Sequence, residues 1–270
     1  MSAQEKSRDC PFCGDQEVKI LPRYCRDDWL IGRCVKCDFV FLSNPVEYSE
    51  LEETYSWDKT YVQEKDAREK NRGILKKFAQ RVRQFHYEFR GDAQAYYEHY
   101  LGKGGRILDI GCADVVRFDE PFIPHGIEIS KGLANAADAK MKAKGGYCLN
   151  DSGADGVWNF ENDFFDNAIL HSYLEHEVNV ESVIAGLFRV LKPGAPAFIR
   201  VPNFNSLNRI FAQSSWPGFR YPDHVNYFTK KSLKAFCTRA GFEFKLINRS
   251  NLWLDDNIKA VISKPISHAA

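Results

Sequence analysis

From Gly104 to Ser263 short apolar runs alternate with stretches of helical period, a pattern that fits a doubly wound α/β sheet and few other folds. The runs are 106–110, 126–129, 147–149, 167–170, 197–201, 242–247 and 257–263. Two helices between them are well marked. One spans 180–191, with Ile184, Leu187, Phe188 and Leu191 on one face. The other begins after Thr229 as N-cap, carries Leu233, Phe236, Cys237 and Ala240 at helical spacing, and stops at Gly241.

At 270 residues the chain has room for one large α/β domain and a small appendage. With 44% hydrophobic and 14% aromatic residues it can fill a core of that size, which excludes fibrous and disordered classes. Thirty-seven Lys and Arg against 36 Asp and Glu leave a net charge of +1, so a polyanion would have to be held by a local patch. No run approaches the ~18 apolar residues that cross a bilayer, and the first ten residues carry no apolar leader. The expectation is a cytoplasmic protein with no membrane partner.

Five of the eight cysteines fall in the first 37 positions. Cys10-Pro-Phe-Cys13 and Cys34-Val-Lys-Cys37 are two C-x-x-C knuckles separated by 20 residues, the spacing of a zinc ribbon. Four thiolates close the shell, so such a site is structural. A ribbon this small folds on its metal's binding free energy. Cys25 is spare. Residues 1–45 hold seven basic and seven acidic side chains, a balance that weakens the nucleic-acid role of many ribbons and leaves a protein partner open.

Residues 46–103 read as a helical linker or cap. Ile74, Phe78, Val82, Phe85 and Phe89 form one apolar face of a long connecting helix over 62–89, and a second helix runs to about Leu101. The opposite face, from Lys65 to Arg83, is a charged solvent face or, as a sharper alternative, an RNA-facing stripe.

The first run of the sheet reads Ile107-Leu108-Asp109-Ile110-Gly111-Cys112, and 19 residues beyond Asp109 stands Glu128, within Gly126-Ile127-Glu128-Ile129-Ser130. Glycine lets a strand-to-helix turn approach a ligand closely, and an acid closing the neighbouring strand accepts hydrogen bonds from two ribose hydroxyls. The pair therefore points to a nucleoside, and by itself fits a nicotinamide dinucleotide as well.

Further motifs separate the two. Phe165-Asp166-Asn167-Ala168-Ile169-Leu170, Leu174-Glu175-His176, Arg189-Val190-Leu191-Lys192-Pro193-Gly194, Val201-Pro202-Asn203 and Asp223-His224-Val225-Asn226-Tyr227-Phe228-Thr229 follow in order. Over about 104–263 the chain resembles the class I S-adenosylmethionine-dependent methyltransferases. The resemblance implies a Rossmann-like, seven-stranded, mostly parallel sheet whose last strand is antiparallel, over a domain of 104–270. It places Asp109, Gly111, Cys112 and Ala113 at the methionine end of the cofactor, Glu128 with Ile129 beside it at the ribose, and Asp151, or Asp155 as second choice, at the adenine. The segment 171–176, with Tyr173 and His176, would border the methyl group. His176 and His224, at carboxyl-end loops, are the candidate proton acceptors, and Tyr173, Asn203 and Asp223 the positioning groups. His171 falls inside the strand and reads as structural.

The chain departs from the family pattern where glycines are usual and it has Ala113 and Val115. The β-branched Val115 is expected to crowd the turn, and Pro121 to shorten the following helix. The aromatic segment 205–222 forms either a lid over the acceptor or packing for the long helix. The residues after the fourth run lack the Asn-Pro-Pro-aromatic motif of adenine N6 methylation. The favoured expectation is methyl transfer to a small molecule such as a sugar or biosynthetic intermediate. RNA methylation and a non-catalytic scaffold are the alternatives.

Overall fold

The computed structural model describes residues 8–46 and 93–266. The linker and the long helix expected over 62–89 lie outside them. Among the described residues no helix is long and apolar enough to cross a membrane.

The ribbon contributes three antiparallel strands, β1 (Val18–Ile20), β2 (Ile31–Cys34) and β3 (Val40–Leu42). Strand β2 has no alternation to betray it in the sequence. Helix α1 (Ala93–Leu101) leads into β4 (Gly105–Ile110) and β5 (Phe122–Glu128). Helix α2 (Lys131–Lys142), β6 (Cys148–Asn150), the short α3 (Gly153–Gly156) and β7 (Asn167–His171) follow. Next come α4 (Val180–Val190), β8 (Pro196–Pro202), α5 (Leu207–Ala212) and β9 (Asn226–Tyr227). Helix α6 (Lys230–Arg239), β10 (Glu243–Leu246) and β11 (Asn257–Ser263) complete the chain.

The large sheet has seven strands in the order β10-β11-β8-β7-β4-β5-β6. Strand β11 runs antiparallel to both neighbours, and the pairs from β8 to β6 are parallel. Strands covered on both faces need apolar side chains on both, and Ala168, Ile169 and Leu170 of β7 are fully buried. Helix α4 covers this region with Val183, Ile184, Leu187 and Val190, its first turn capped by Asn179 Oδ1, which accepts from Ser182 N at 3.1 Å. Thr229 caps α6 in a reciprocal capping box with Ser232, as its position predicts.

One expectation is corrected. No helix follows β4: residues 111–121 run as turns and irregular chain to Pro121. The long helix offered as a packing partner for the aromatic segment lies outside the described residues, and the contacts the segment makes among them are with the ribbon. Trp216 and Phe219 bury themselves against Ile31, Val40 and Leu42 of the ribbon together with Phe204, Val225 and Tyr227.

Ribbon and large domain share their packing. Strand β9 extends the ribbon sheet by pairing with β3, Val40 opposite Tyr227 and Phe41 opposite Asn226. Phe12 and Phe39 pack edge to face against Phe236 of α6, with ring centroids 4.7 and 5.4 Å away. Arg8 donates to Val225 O at 2.6 Å and Asn226 Oδ1 at 3.1 Å.

Candidate cofactor and acceptor site

The carboxyl end of β4 turns at Gly111, whose φ of +74° suits a residue without Cβ. The next left-handed residue is Ala113, at φ +52°. Ala113 holds that conformation because its N–H donates to Glu128 Oε2 at 2.9 Å; the other oxygen, Oε1, accepts from Ser130 N at 2.9 Å. Glu128, closing β5, thus anchors both the β4 turn and the entry to α2. Val115 is not among the left-handed residues, and its side chain is 45% exposed. The crowding expected of it does not arise. The strain falls on Ala113 instead.

Cys112 points its side chain away from the turn, into a buried cluster with Ala137 and Met141, its Sγ 3.7 Å from Cys148 Sγ. The Cys112 Sγ also meets Ala113 O at 3.4 Å, on the inner side of the turn. Asp109 is buried at the end of β4, 3.0 Å from Arg117 through Oδ2, and its Oδ1 is buried with no hydrogen-bond partner. Burial pushes its carboxyl up to about 6, opposed by the Arg117 guanidinium and reinforced by the nearby Glu128 charge.

After β6, Asp151 Oδ1 accepts from Ser152 N at 2.8 Å and Oδ2 from Asn159 Nδ2 at 3.1 Å, which fixes the half-buried carboxylate at the strand end. The second-choice acid, Asp155, is exposed and occupied with Ser152 Oγ at 2.7 Å. Ile129 is half-buried, its carbonyl held by Asn150 Nδ2 at 2.8 Å. Asp109, Glu128 and Asp151 thus stand at the carboxyl ends of three adjacent strands, where open α/β sheets bind ligands.

Tyr173, two residues past β7, lies between two glycines. A Cβ on Gly111 would stand 2.5 Å from its Cδ2, and one on Gly153 would overlap its hydroxyl. That hydroxyl accepts from Gly153 N at 3.1 Å and donates to buried Glu177. The phenol is therefore a fixed wall of the glycine cradle.

His176 and His224 are brought together, their rings edge to face with centroids 4.7 Å apart. His176 Nδ1 donates to Asp223 O at 2.9 Å and His224 Nδ1 to Gly218 O at 2.8 Å. Desolvation pushes the His176 imidazole well below its usual range, and Arg220 adds to the shift, so the ring stays neutral at physiological pH. Asp223 is paired with Arg220 at 2.8 Å. Asn203 serves the backbone, donating to Leu252 O at 2.8 Å and accepting from Asn205 N at 3.0 Å, so its expected positioning role becomes a structural one.

Sequence reasoning passed over Glu175, 1% exposed, which burial pushes up to about 8. It also passed over the link from α1 to β7, where Tyr97 Oη meets His171 Nδ1 at 2.6 Å and Arg200 meets His171 Nε2 at 2.5 Å. Leu174-Glu175-His176 was a visible motif. The burial of its acid depends on the distant segment that packs over it.

In the ribbon, Cys10, Cys13, Cys34 and Cys37 converge, with three Sγ pairs at 3.5 Å. A tetrahedron with ~2.3 Å metal–sulfur bonds has sulfur–sulfur edges of ~3.8 Å, so the cluster is close to the size that zinc requires. Cys25 stands apart, its Sγ 3.4 Å from Leu21 O.

Comparison with known proteins agrees with this geometry. Residues 83–245 match a family model described as a methyltransferase domain. No curated protein matches. Among solved structures, a SAM-dependent methyltransferase from Archaeoglobus fulgidus superposes with a TM-score of 0.52 at 16% identity, covering 68% of this chain and 99% of its own. Another from Methanosarcina mazei gives 0.50 at 19% identity, covering 65% and 99%. The chain belongs to the methyltransferase-domain family and carries the fold of S-adenosylmethionine-dependent methyltransferases.

Proposed function

We propose that the protein transfers a methyl group from S-adenosylmethionine to a small-molecule acceptor. The observation that carries this reading is the pair of carboxylates at the β4 turn: Glu128 closes β5, and buried Asp109 keeps an oxygen with no partner. A cationic nucleoside suits both. Gly111 gives close approach, Glu128 accepts from ribose hydroxyls, and Asp109 lends negative charge to the methionine end. Cys112 and Ala113 supply backbone to that turn, Ile129 packs beside the ribose, and Asp151 faces the adenine amino group. When bound, the cofactor supplies an electrophilic methyl on a sulfonium.

The acceptor is placed beyond Tyr173, toward His176 and His224. With each Nδ1 proton fixed on a carbonyl, each Nε2 carries a lone pair that accepts a hydrogen bond from an acceptor hydroxyl or amine and orients its attacking atom. His176 stays uncharged near neutrality, so its part is orientation more than strong base catalysis. In the ribbon, Cys10, Cys13, Cys34 and Cys37 hold a structural zinc ion.

A small acceptor is favoured over RNA by the near-zero net charge and by the evenly balanced ribbon, itself packed on the domain. The experiment is incubation with methyl-labelled S-adenosylmethionine and a metabolite extract, with total RNA in parallel. Label in the metabolite fraction is expected. Label only in RNA, with binding that weakens steeply as salt rises, would replace this reading.

A further inference from the structure

Glu175, His176 and His224 converge just past the carboxyl end of β7, their ligand atoms all within 4.8 Å of one another. The two segments that supply them are locked together: Val225 N and Asn226 N both donate to Glu175 O, at 2.8 and 3.1 Å. A backbone carbonyl can only accept, so the contacts to Asp223 O and Gly218 O put the proton of each imidazole on Nδ1 and the lone pair on Nε2. Metal-binding histidines are held in this way, one ring nitrogen donating to the protein while the other ligates.

Glu175 supplies an independent sign. It is 1% exposed, and its Oε2 is buried with no hydrogen-bond partner. Such an oxygen is costly unless a cation or donor meets it. The two guanidiniums whose charge reaches it, Arg200 and Arg220, are engaged with His171 Nε2 and with Asp223.

We propose that Glu175, His176 and His224 form a second metal site, distinct from the four cysteines, which takes a divalent transition ion such as zinc or manganese. Two imidazole nitrogens and one carboxylate oxygen suit such ions, whereas calcium and magnesium prefer all-oxygen shells. Three protein ligands leave a fourth position for water or for an oxygen of the acceptor. Metal binding here does not depend on the methyl-transfer reading, because it is measured without cofactor.

The test titrates the metal-depleted full-length protein with cobalt(II), followed by absorption, and separately with manganese(II), followed by electron paramagnetic resonance. Two cobalt ions per chain are expected, only one with thiolate charge-transfer absorption, and one manganese, which thiolates bind poorly. Glu175→Gln and His224→Asn should each weaken manganese binding by more than ~10-fold, the loss that follows even from removing a ligand's supporting hydrogen bond. An unchanged thiolate band together with an unchanged circular dichroism spectrum shows that the ribbon and the large sheet both survive. A wild-type protein that takes one cobalt, all of it thiolate-bound, and no manganese overturns the proposal whatever the variants do. So do variants that keep wild-type manganese affinity.

Discussion

The backbone N–H of Ala113 donates to Glu128 Oε2 at 2.9 Å, joining the turn after β4 to the acid that ends β5. The contact explains how a non-glycine residue keeps a φ of +52° there, since a charge-assisted hydrogen bond offsets the strain. The acid proposed to hold the ribose is thus also the clamp that shapes the loop.

Replacing Glu128 with Ala should therefore damage cofactor binding twice, through the lost ribose contacts and through a released loop. Calorimetric titration should show S-adenosylmethionine affinity weakened ~100-fold, about 3 kcal/mol, the scale of one or two hydrogen bonds to a charged group.

Ala113→Gly should stabilise the fold by about 0.5–1 kcal/mol, because the left-handed conformation costs an L-residue about 1–2 kcal/mol while glycine gives back part of that in chain entropy. Val115→Gly should give no such gain, since Val115 is not held at positive φ. Denaturant unfolding of the two variants distinguishes them. A larger gain at position 115 would show that the loop is strained elsewhere.

Gly111→Ala places a methyl 2.5 Å from Tyr173 Cδ2 at a backbone φ of +74°. The expected loss is about 2–3 kcal/mol of stability, together with weaker cofactor binding. Adding Tyr173→Ala should recover the steric part and leave the backbone part, a coupling that a double-mutant cycle reads directly.

Asp109 gives a pH signature. Its carboxyl is raised to about 6 in the fold against the ordinary 3.8, so the folded state binds the proton more tightly than the unfolded chain does. The associated stability is fully present below about pH 4 and is lost as pH rises through about 6, a change on the order of 3 kcal/mol. Subtracting the stability profile of Asp109→Asn from that of the wild type should leave this fall, and a flat difference would count against the buried carboxylate.

Most strands of the large sheet were legible as short apolar runs between turn signals, and β11 falls at 257–263 as read. Strand β5, by contrast, begins at Phe122, four residues before the run at 126–129, because Pro124 and His125 interrupt its apolar pattern. Thr229 was legible as a cap because its hydroxyl has a local partner, Ser232. What escaped depends on distant packing. That β9 completes the ribbon sheet follows from Tyr227 and Asn226 meeting Val40 and Phe41, nearly 190 residues earlier in the chain. Which of residues 113 and 115 takes the left-handed conformation was hidden, because side-chain bulk is visible in a sequence, whereas the φ of Ala113 is set with a hydrogen bond to Glu128, 15 residues away.

The most direct test of the proposed donor site is calorimetric titration of the full-length protein with S-adenosylmethionine, with Glu128→Ala as the control. One molecule bound per chain, with affinity that drops sharply in the variant, is the expected result. No binding at millimolar ligand, or equal binding by both proteins, would contradict a donor site at the Gly111 turn.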